Sequence, residues 1–366
     1  MPADPNEPVP RPTDPPDDTR ARVGFISDVE GVLHDTGPHH PERPDRLRAI
    51  HRGLRLSGLL TSADPFPQFE LDPTHGGTMA LPVSSQPLLE LPGRAATDDD
   101  LLMCHTRDHL ERVAAVCASG GGVLDAGDTR VSSRSEELAR RSAGAALSAV
   151  DHVLAGRVDR CLVATRPPGH HAEPGRAMGF CLYGNAALAA RHALRAGLSR
   201  VAVVDFDVHH GNGTQACLEG DPRVLFISLH QHPQTCYPGT GFEWEIGIGA
   251  AKGLTLNIAL PPGAGDQTYT QAMRQKVLPK LQSFQPELLI LSAGFDAHRD
   301  DPLADMELSD EGFAYLTRML VQAGNDCCRG RVVSLLEGGY DLAALARAYV
   351  HHAVTMQIPL SLSDPA

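Results

Sequence analysis

The stretch VAVVDFDVHHGNG, residues 201–213, decides the fold of this chain and the position of its site. It begins as a continuous apolar run, which is typical of a strand buried on both faces of a parallel sheet. It then brings together four ionisable side chains, those of Asp205, Asp207, His209 and His210. Burying such groups is costly unless they have partners. The end of this strand is therefore the first place to look for a functional site.

Six further short runs rich in β-branched and aliphatic residues alternate with helical patterns. Helical spacing is clear where Tyr269, Met273, Val277 and Leu281 recur every four residues, and where Ser309 can cap a helix that starts at Asp310. The alternation predicts an α/β fold, with a central parallel sheet and helices on both of its faces. The six runs are 22–27, 160–165, 223–229, 254–260, 287–293 and 331–336.

Four polar segments follow predicted strands directly: residues 164–174, 205–213, 294–303 and 337–341. All four fall at carboxyl ends of strands. In an open parallel sheet the loops at that edge converge on a crevice where ligands bind. We therefore expect segments that are far apart in sequence to form one site there.

Asp207, His209 and Asp296 are candidate metal ligands. In an extended segment residues i and i+2 point the same way, so Asp207 and His209 can face one point, and Asp296 can reach it from another strand. Two carboxylates and one histidine leave a position for water, which is typical of catalytic zinc. Iron, manganese or cobalt would also accept these ligands. The competing interpretation is that Asp207 only caps a turn.

His170 and His171 follow a stiff Pro-Pro-Gly turn. One of them can act as a general base near a metal-activated water and the other as an electrostatic partner. Asp205 and Asn212 are candidates to hold the two ring N–H groups, which would fix tautomer and orientation. Two solvated loop histidines are the alternative.

Tyr340 ends the segment Glu337-Gly338-Gly339-Tyr340, in which two glycines allow the backbone to approach the site closely. A phenol is neutral at pH 7 and can donate a hydrogen bond to an oxyanion. The alternative is a core tyrosine with a satisfied hydroxyl.

Composition narrows the class of protein. The chain has 366 residues, 42% of them hydrophobic, and a formal net charge of −13 without a Lys/Arg cluster. We therefore expect no nucleic-acid partner and no anionic-membrane surface. The eight cysteines contain no C-x-x-C pair, which favours a reducing, cytoplasmic location.

The domain organisation predicted from composition is simple. Residues 21–357 form one domain, interrupted by a Pro/Gly-rich insertion at 61–97 that is longer than usual connections. Residues 1–20, rich in Pro and Asp, are expected to be a disordered tail, and residues 358–366 form a C-terminal tail. The sequence leaves open whether the chain forms a homo-oligomer.

With these residues identified, the chain resembles the zinc-dependent histone deacetylase family, and its bacterial and class II members most of all. The resemblance covers roughly residues 22 to 355. It is carried by HPERPDRL (40–47), RPPGHHA (166–172), GFCLYGNAA (179–187), VVDFDVHHGNGTQ (203–215), ISLHQ (227–231), YPGTG (237–241), SAGFDAHRDDPL (292–303) and LEGGY (336–340).

The resemblance implies an arginase/deacetylase fold, with a narrow tunnel leading down to one zinc ion per chain. It makes His171 the main general base and acid, His170 with Asp205 its electrostatic partner, and Tyr340 the group that polarises the acetyl carbonyl. It also implies zinc ligands at Asp207, His209 and Asp296, tunnel walls at Gly179, Phe180 and Tyr237, and a structural potassium ion near Asp205 that uses backbone carbonyls of Asp207 and His209 with Ser228 and Leu229. His210 and His298 match no ligand position in the family.

The implied substrate is acetyl-lysine in a protein or peptide, with acetylpolyamines or other small amides as the alternative. Leu303 bears on this choice, because class II protein deacetylases that resemble this chain have leucine there and polyamine deacetylases have glutamate. The family's substrate-gripping acid falls on the loop near Gly120 to Asp128, which contains Asp125 and Asp128, and the sequence assigns the role to neither. A manganese ureohydrolase and a non-catalytic binding module are less favoured, because the carboxylates are too few for a binuclear centre and every residue the chemistry needs is present.

Overall fold

A computed structural model describes residues 20–71, 81–84 and 86–360. The strands within these residues are β1 (Val23–Ser27), β2 (Leu89–Glu90), β3 (Gly121–Val123), β4 (Arg130–Ser132), β5 (Arg160–Ala164), β6 (Val201–Asp205), β7 (Val224–Gln231), β8 (Thr255–Leu260), β9 (Leu288–Ala293) and β10 (Val332–Leu336). Eight of them form one all-parallel sheet, in the order β2-β1-β5-β10-β9-β6-β7-β8, and β3 and β4 form a small antiparallel hairpin.

The predicted central sheet is confirmed. All seven apolar runs in the sequence became strands of it, with ends that differ by one or two residues from the predicted ranges. Successive side chains along each strand point to opposite faces of the sheet, and both faces are buried. Val203 packs into the cluster with Ala149 and Ala190, whereas its neighbour Val204 packs into the opposite cluster with Leu345.

Helices cover both faces of the sheet, as predicted. The helices are α1 (Asp45–Leu56), α2 (Asp98–Leu101), α3 (Arg107–Ala118), α4 (Ser135–Leu154), α5 (Asn185–Arg195), α6 (Asn212–Leu218), α7 (Asp266–Ala272), α8 (Leu278–Phe284), α9 (Asp310–Cys328) and α10 (Leu342–Thr355). Buried residues of α1, α7, α9 and α10 pack on one face, and those of α4, α5 and α6 on the other.

Two helical predictions can be compared directly. Ser309 caps α9, and its side chain accepts a hydrogen bond from the Gly312 N–H. The helix predicted across Tyr269 and Leu281 is present, but Met273–Val277 forms a π-helical turn between α7 and α8. Every fourth residue from Tyr269 to Leu281 is nevertheless buried, because the wider turn keeps these side chains on the core side.

The described part of segment 61–97 packs along the sheet edge and the end of α1. Leu89–Glu90 pairs with β1, and the Leu88 N–H donates to the Leu59 carbonyl. Residues 72–80 and 85 lie outside the described residues, as do most of the tails predicted at 1–20 and 358–366, although Arg20 bridges to Pro359. Among the described helices, none combines the length and the apolar character needed to cross a bilayer.

Candidate active site

The strands that precede the four polar segments are consecutive neighbours in the sheet, in the order β5-β10-β9-β6. Because all four run in the same direction, their following loops leave the sheet at one edge. The fold therefore brings together side chains from positions as distant as His170 and Tyr340.

Asp207, His209 and Asp296 form a candidate metal site. Each offers a ligand atom, these atoms all lie within 4.8 Å of one another, and all three residues are buried. His209 Nδ1 lies 3.0 Å from Asp207 Oδ1 and 3.2 Å from Asp296 Oδ2. This set fits a divalent cation, because two buried carboxylates so close together repel each other unless positive charge lies between them. Two oxygens and one imidazole nitrogen are the ligand types of catalytic zinc.

Gly338 closes the floor of this site. A Cβ at position 338 would lie 2.0 Å from Asp296 Oδ2 and 2.6 Å from Asp207 Oδ2. Without one, the Gly338 N–H donates to Asp207 Oδ2 over 2.8 Å. Only glycine lets the backbone come this close to both carboxylates.

His170 and His171 lie next to the candidate metal ligands and have different partners. His170 Nδ1 lies 3.0 Å from Asp205 Oδ2, and His171 Nδ1 lies 2.7 Å from Asn212 Oδ1. Burial would lower the pKa of His170, but Asp207 and Asp205 outweigh it and raise the pKa to about 10. Burial, together with the positive charge of His170, holds the pKa of His171 well below its usual value.

Glu337 supports the histidine loop, a contact that the sequence had not indicated. Its Oε2 accepts hydrogen bonds from the N–H groups of Gly169 (2.7 Å) and His170 (3.1 Å). Its Oε1 accepts one from the Ser292 hydroxyl over 2.9 Å. Burial raises the pKa of Glu337. A carboxylate directly after the apolar run of β10 was the available signal.

Glu42, Arg46 and Arg166 form a second buried network that sequence reasoning missed. Arg166 Nη2 donates to Glu42 Oε2 over 2.7 Å, and Arg46 Nη1 donates to Glu42 Oε1 over 3.2 Å. Burial would raise the pKa of Glu42, but Arg166 and Arg46 lower it to about 2. Arg46 also donates to the Gly339 carbonyl over 2.7 Å, and its guanidinium lies 5.0 Å from the Tyr340 ring centre.

A cavity of about 250 Å³ opens above the candidate metal ligands. The Tyr237 ring packs edge-on against His171 at 5.1 Å, and the Phe180 ring packs edge-on against Tyr340 at 5.9 Å. Tyr237 and Leu303 remain 45% and 38% exposed, as expected at a mouth. The lining residues are Pro41, Asp128, His171, Gly179, Phe180, His209, Tyr237, Leu303 and Tyr340.

Of the two acids near the mouth, Asp128 lines this cavity and Asp125 does not. The carboxylate of Asp125 is used within its own loop, where it accepts from the N–H groups of Gly127 and Thr129 and from the Thr129 hydroxyl. The structure thus separates two residues that the sequence could not.

The residues expected to hold potassium lie where β6 and β7 adjoin. Asp205 pairs in register with Ser228, and Leu229 is the next residue of β7. In the described part of the chain, no N–H or hydroxyl donates to the carbonyl oxygens of Asp207 and His209. Unpaired buried carbonyls are the ligand type that a hard cation uses.

The two histidines that match no ligand position make other contacts. His210 lies 2.9 Å from the Thr240 hydroxyl and 3.0 Å from Gln215 Oε1. His298 Nε2 lies 3.4 Å from Asp310 Oδ1, and its ring stacks on Phe313.

With this geometry established, comparison with known proteins places the chain. The family profile for the histone deacetylase domain matches residues 40–356. The chain belongs to the histone deacetylase family. The resemblance read from its motifs is therefore confirmed, and the chain is a hydrolase that acts on amide bonds.

Individual relatives align with most of the length of this chain. The histone deacetylase-like amidohydrolase of Pseudomonas aeruginosa is 39% identical over 341 residues, covering 88% of this chain and 82% of its own. A probable deacetylase of Methanothermobacter thermautotrophicus is 43% identical, covering 85% and 84%. The crystal structure of the HDA15 HD domain superposes with a TM-score of 0.80 at 35% identity, covering 92% and 90%. This agreement confirms the arginase/deacetylase fold.

Proposed function

We propose that this protein is a zinc-dependent deacetylase that removes the acetyl group from the ε-amine of acetyl-lysine in proteins or peptides. The observation that carries the proposal is the convergence of Asp207, His209 and Asp296 below a cavity lined by His171 and Tyr340. Those three residues would hold the zinc. When bound, zinc supplies a Lewis acid and lowers the pKa of a water to about 7.

His171 is the proton carrier of the proposed reaction. Its Nδ1–H donates to Asn212 Oδ1, which leaves Nε2 free to accept a proton. Because its pKa is held low, the ring is neutral when a water attacks the amide carbonyl. It takes the proton of that water and returns a proton to the ε-nitrogen as the C–N bond breaks, which releases acetate and lysine.

His170 and Tyr340 stabilise the negative charge that develops as the water attacks the amide carbonyl. The raised pKa of His170 keeps the ring cationic, with its Nδ1–H directed at Asp205. Burial raises the pKa of the Tyr340 phenol well above its usual value, so that its O–H remains available to the developing oxyanion.

The cavity suits an extended aliphatic substituent. Phe180 and Tyr237 line its wall, and Gly179 has φ +54°, with a Cβ there lying 2.3 Å from the His171 ring. A side chain at position 179 would therefore displace His171. We assign the substrate-gripping role to Asp128, whose carboxylate can accept backbone N–H groups of a bound peptide.

The remaining assignments follow from the same residues. Potassium would lie at the carbonyls of Asp207 and His209 with Ser228 and Leu229, where it would neutralise charge behind the zinc ligands. The eight cysteines of the described structure form no disulfide, which supports the cytoplasm as the location. We propose no nucleic-acid or membrane partner, and a homo-oligomer is compatible with the fold.

Acetylpolyamines are the second candidate substrate, and Leu303 argues against them. An apolar side chain at the partly exposed mouth gives no attraction for a distant ammonium group. The decisive experiment compares kcat/KM of the purified protein for acetyl-lysine peptides and for acetylated di- and triamines. Faster turnover of the peptides supports the proposal, and faster turnover of acetylpolyamines overturns the substrate assignment.

A further inference from the structure

Asp301 carries a buried carboxylate in the loop between Asp296 and α9. It is only 7% exposed, and burial raises the pKa of its carboxyl to about 7. Three backbone N–H groups donate to it, which offset part of the desolvation cost. A buried carboxylate has a desolvation cost that an apolar residue would not have, so we expect it to make contacts that an apolar residue could not make.

The three hydrogen bonds join two loops. Oδ1 accepts from the Leu303 N–H at 3.0 Å, two residues away, which is a local turn. Oδ2 accepts from the Tyr340 N–H at 2.6 Å and from the Asp341 N–H at 3.2 Å, across 39 and 40 residues of sequence. The local bond alone would be an ordinary Asx turn. The other two connect the cavity mouth to the segment that carries Tyr340.

The phenol of Tyr340 depends on its backbone for its position. In the described part of the chain no hydrogen bond reaches its hydroxyl, and its ring contacts are with Phe180 and Arg46. The two residues before Tyr340 are glycines, and Gly339 has φ +117°. Glycine allows the backbone more conformations than any other residue type. The peptide unit that joins Gly339 to Tyr340 is held on its two sides, at the carbonyl by Arg46 and at the N–H by Asp301, and loss of the second bond would loosen the position of the phenol.

We infer that Asp301 is a positioning residue for Tyr340, holding its amide so that the hydroxyl stays aimed at the reacting carbonyl. The inference rests on the role proposed above for Tyr340. Asp301 is not among the residues that line the cavity, and it acts on Tyr340 through the Tyr340 N–H. Through Leu303 it also keeps the mouth of the cavity at a fixed distance from its floor.

The structure separates this role from a role in folding. Asp341 caps α10 through its own carboxylate, which accepts from the Ala344 N–H at 2.8 Å. The start of α10 therefore has a capping hydrogen bond of its own, in addition to the bond between the Asp341 N–H and Asp301. The Gly338 end of the segment is held independently by Asp207 and by the Phe295 N–H, which donates to the Gly338 carbonyl.

The test is Asp301→Asn in the zinc-loaded enzyme, with Asp300→Asn as matched control. An amide has one oxygen and one NH2, so either Leu303 or the Tyr340 segment must face a donor instead of an acceptor. We expect kcat to fall about 10- to 100-fold, as for a catalytic group misplaced by about 1 Å, with KM changed less than about threefold. Asp300 is 43% exposed and pairs with Arg347, so its substitution should leave kcat within about twofold.

A double-mutant cycle with Tyr340→Phe decides how Asp301 acts. If it works through the phenol, Asp301→Asn adds less than about twofold to the loss in the Tyr340→Phe background. If the losses in kcat of the two single variants multiply in the double variant, this inference is overturned. It is also overturned if Asp301→Asn keeps the wild-type kcat while Tyr340→Phe is slow. Both outcomes leave the proposed function intact. Wild-type kcat in Tyr340→Phe would overturn both. Loss of the folded state in both Asp301→Asn and Asp301→Ser would also overturn it, since Asp301 would then belong to the fold.

Discussion

The rings of His170 and His171 lie 4.0 Å apart, yet their surroundings drive their pKa values in opposite directions. His170 faces a carboxylate, Asp205, and its pKa is raised to about 10. His171 faces an uncharged amide, Asn212, and its pKa is lowered. Two adjacent residues of one type thus differ in charge, because the carboxylates of Asp207 and Asp205 outweigh burial at His170, whereas burial and the charge of His170 lower the pKa of His171.

The first prediction concerns Asn212, the hydrogen-bond partner of His171. Asn212→Asp places a carboxylate where His171 Nδ1 now meets an amide oxygen at 2.7 Å. An opposite charge at this distance raises the pKa of the imidazole, by about 1–3 units. Only neutral His171 accepts a proton, so activity falls as pH falls through its pKa. The acid limb of the kcat/KM profile should therefore move to higher pH.

Asn325→Asp is the control for that profile, because the side chain of Asn325 also accepts a side-chain hydrogen bond, from Arg160, but away from the site. Its pH profile should match that of the wild type. An unchanged acid limb in Asn212→Asp would remove His171 from the role of general base.

The second prediction concerns metal. Asp207→Ala and Asp296→Ala should each lose the bound metal and the activity together, because three protein ligands leave no redundancy. Elemental analysis of the purified proteins should give one divalent ion per wild-type chain and about none in the variants, with Asp300→Ala as control. Two tightly held transition metals per chain, or full retention in both variants, would contradict the mononuclear site.

The third prediction concerns Tyr340→Phe. The variant should fold and keep its metal, while kcat falls roughly 10²- to 10³-fold, the usual loss for one oxyanion donor. Tyr349→Phe is a matched control, because its buried hydroxyl has no partner in the described structure, and kcat should not change. Near wild-type turnover by Tyr340→Phe would make Tyr340 a packing residue.

The fourth prediction tests specificity at the mouth. Leu303→Glu should raise kcat/KM for acetylspermidine-like substrates and lower it for peptides, since a carboxylate there favours a dication by about 1–3 kcal/mol. Ile248→Glu, at a position 57% exposed and outside the cavity lining, should leave the ratio of the two constants unchanged. An unaltered ratio in Leu303→Glu would separate this residue from substrate choice.

The fifth prediction concerns acid stability. The pKa of Glu42 is about 2 in the folded protein against an ordinary value of 4.5, so its contribution is complete above about pH 4.5 and is lost as pH falls towards 2. That contribution is roughly 3 kcal/mol. Glu42→Gln should lower the free energy of unfolding at pH 7 by about 3–5 kcal/mol, because two buried arginines lose their carboxylate.

Denaturant unfolding at several pH values checks this. The difference between wild type and Glu42→Gln should narrow as pH falls below about 4.5. Glu137→Gln, which removes an exposed partner of Arg134, should cost under about 1 kcal/mol at every pH. A constant difference across the acid range would show that Glu42 does not titrate as described.

Seven of the eight strands of the sheet were predictable because each is a buried apolar run. The short strands were not. Leu89–Glu90 and the hairpin of Gly121–Val123 with Arg130–Ser132 have too few residues for any periodicity to appear. Their conformation is set by neighbouring chain, and the two residues of β2 are strand only because β1 lies beside them.

The residues proposed to do the chemistry were predictable because they fall in clusters after strands. The charges that support them were not, because Glu42 meets Arg166 across 124 residues and Asp301 meets Tyr340 across 39. Nothing local distinguishes these acids from solvated loop residues. The same limit applies to Asp125 and Asp128, since their separation depends on a turn that points one carboxylate inward and the other at the cavity.

Gly338 meets Asp207 across 131 residues of chain, and this distance has a consequence during synthesis. At about 5–20 residues per second, the ribosome needs roughly 7 to 26 seconds to add that length. During the first part of this interval β6 has been made but β9 has not, and β10 is completed only near its end. Asp205, Asp207 and His209 must stay hydrated on a nascent chain until then, so we expect metal to enter only after the last of these strands has left the exit tunnel.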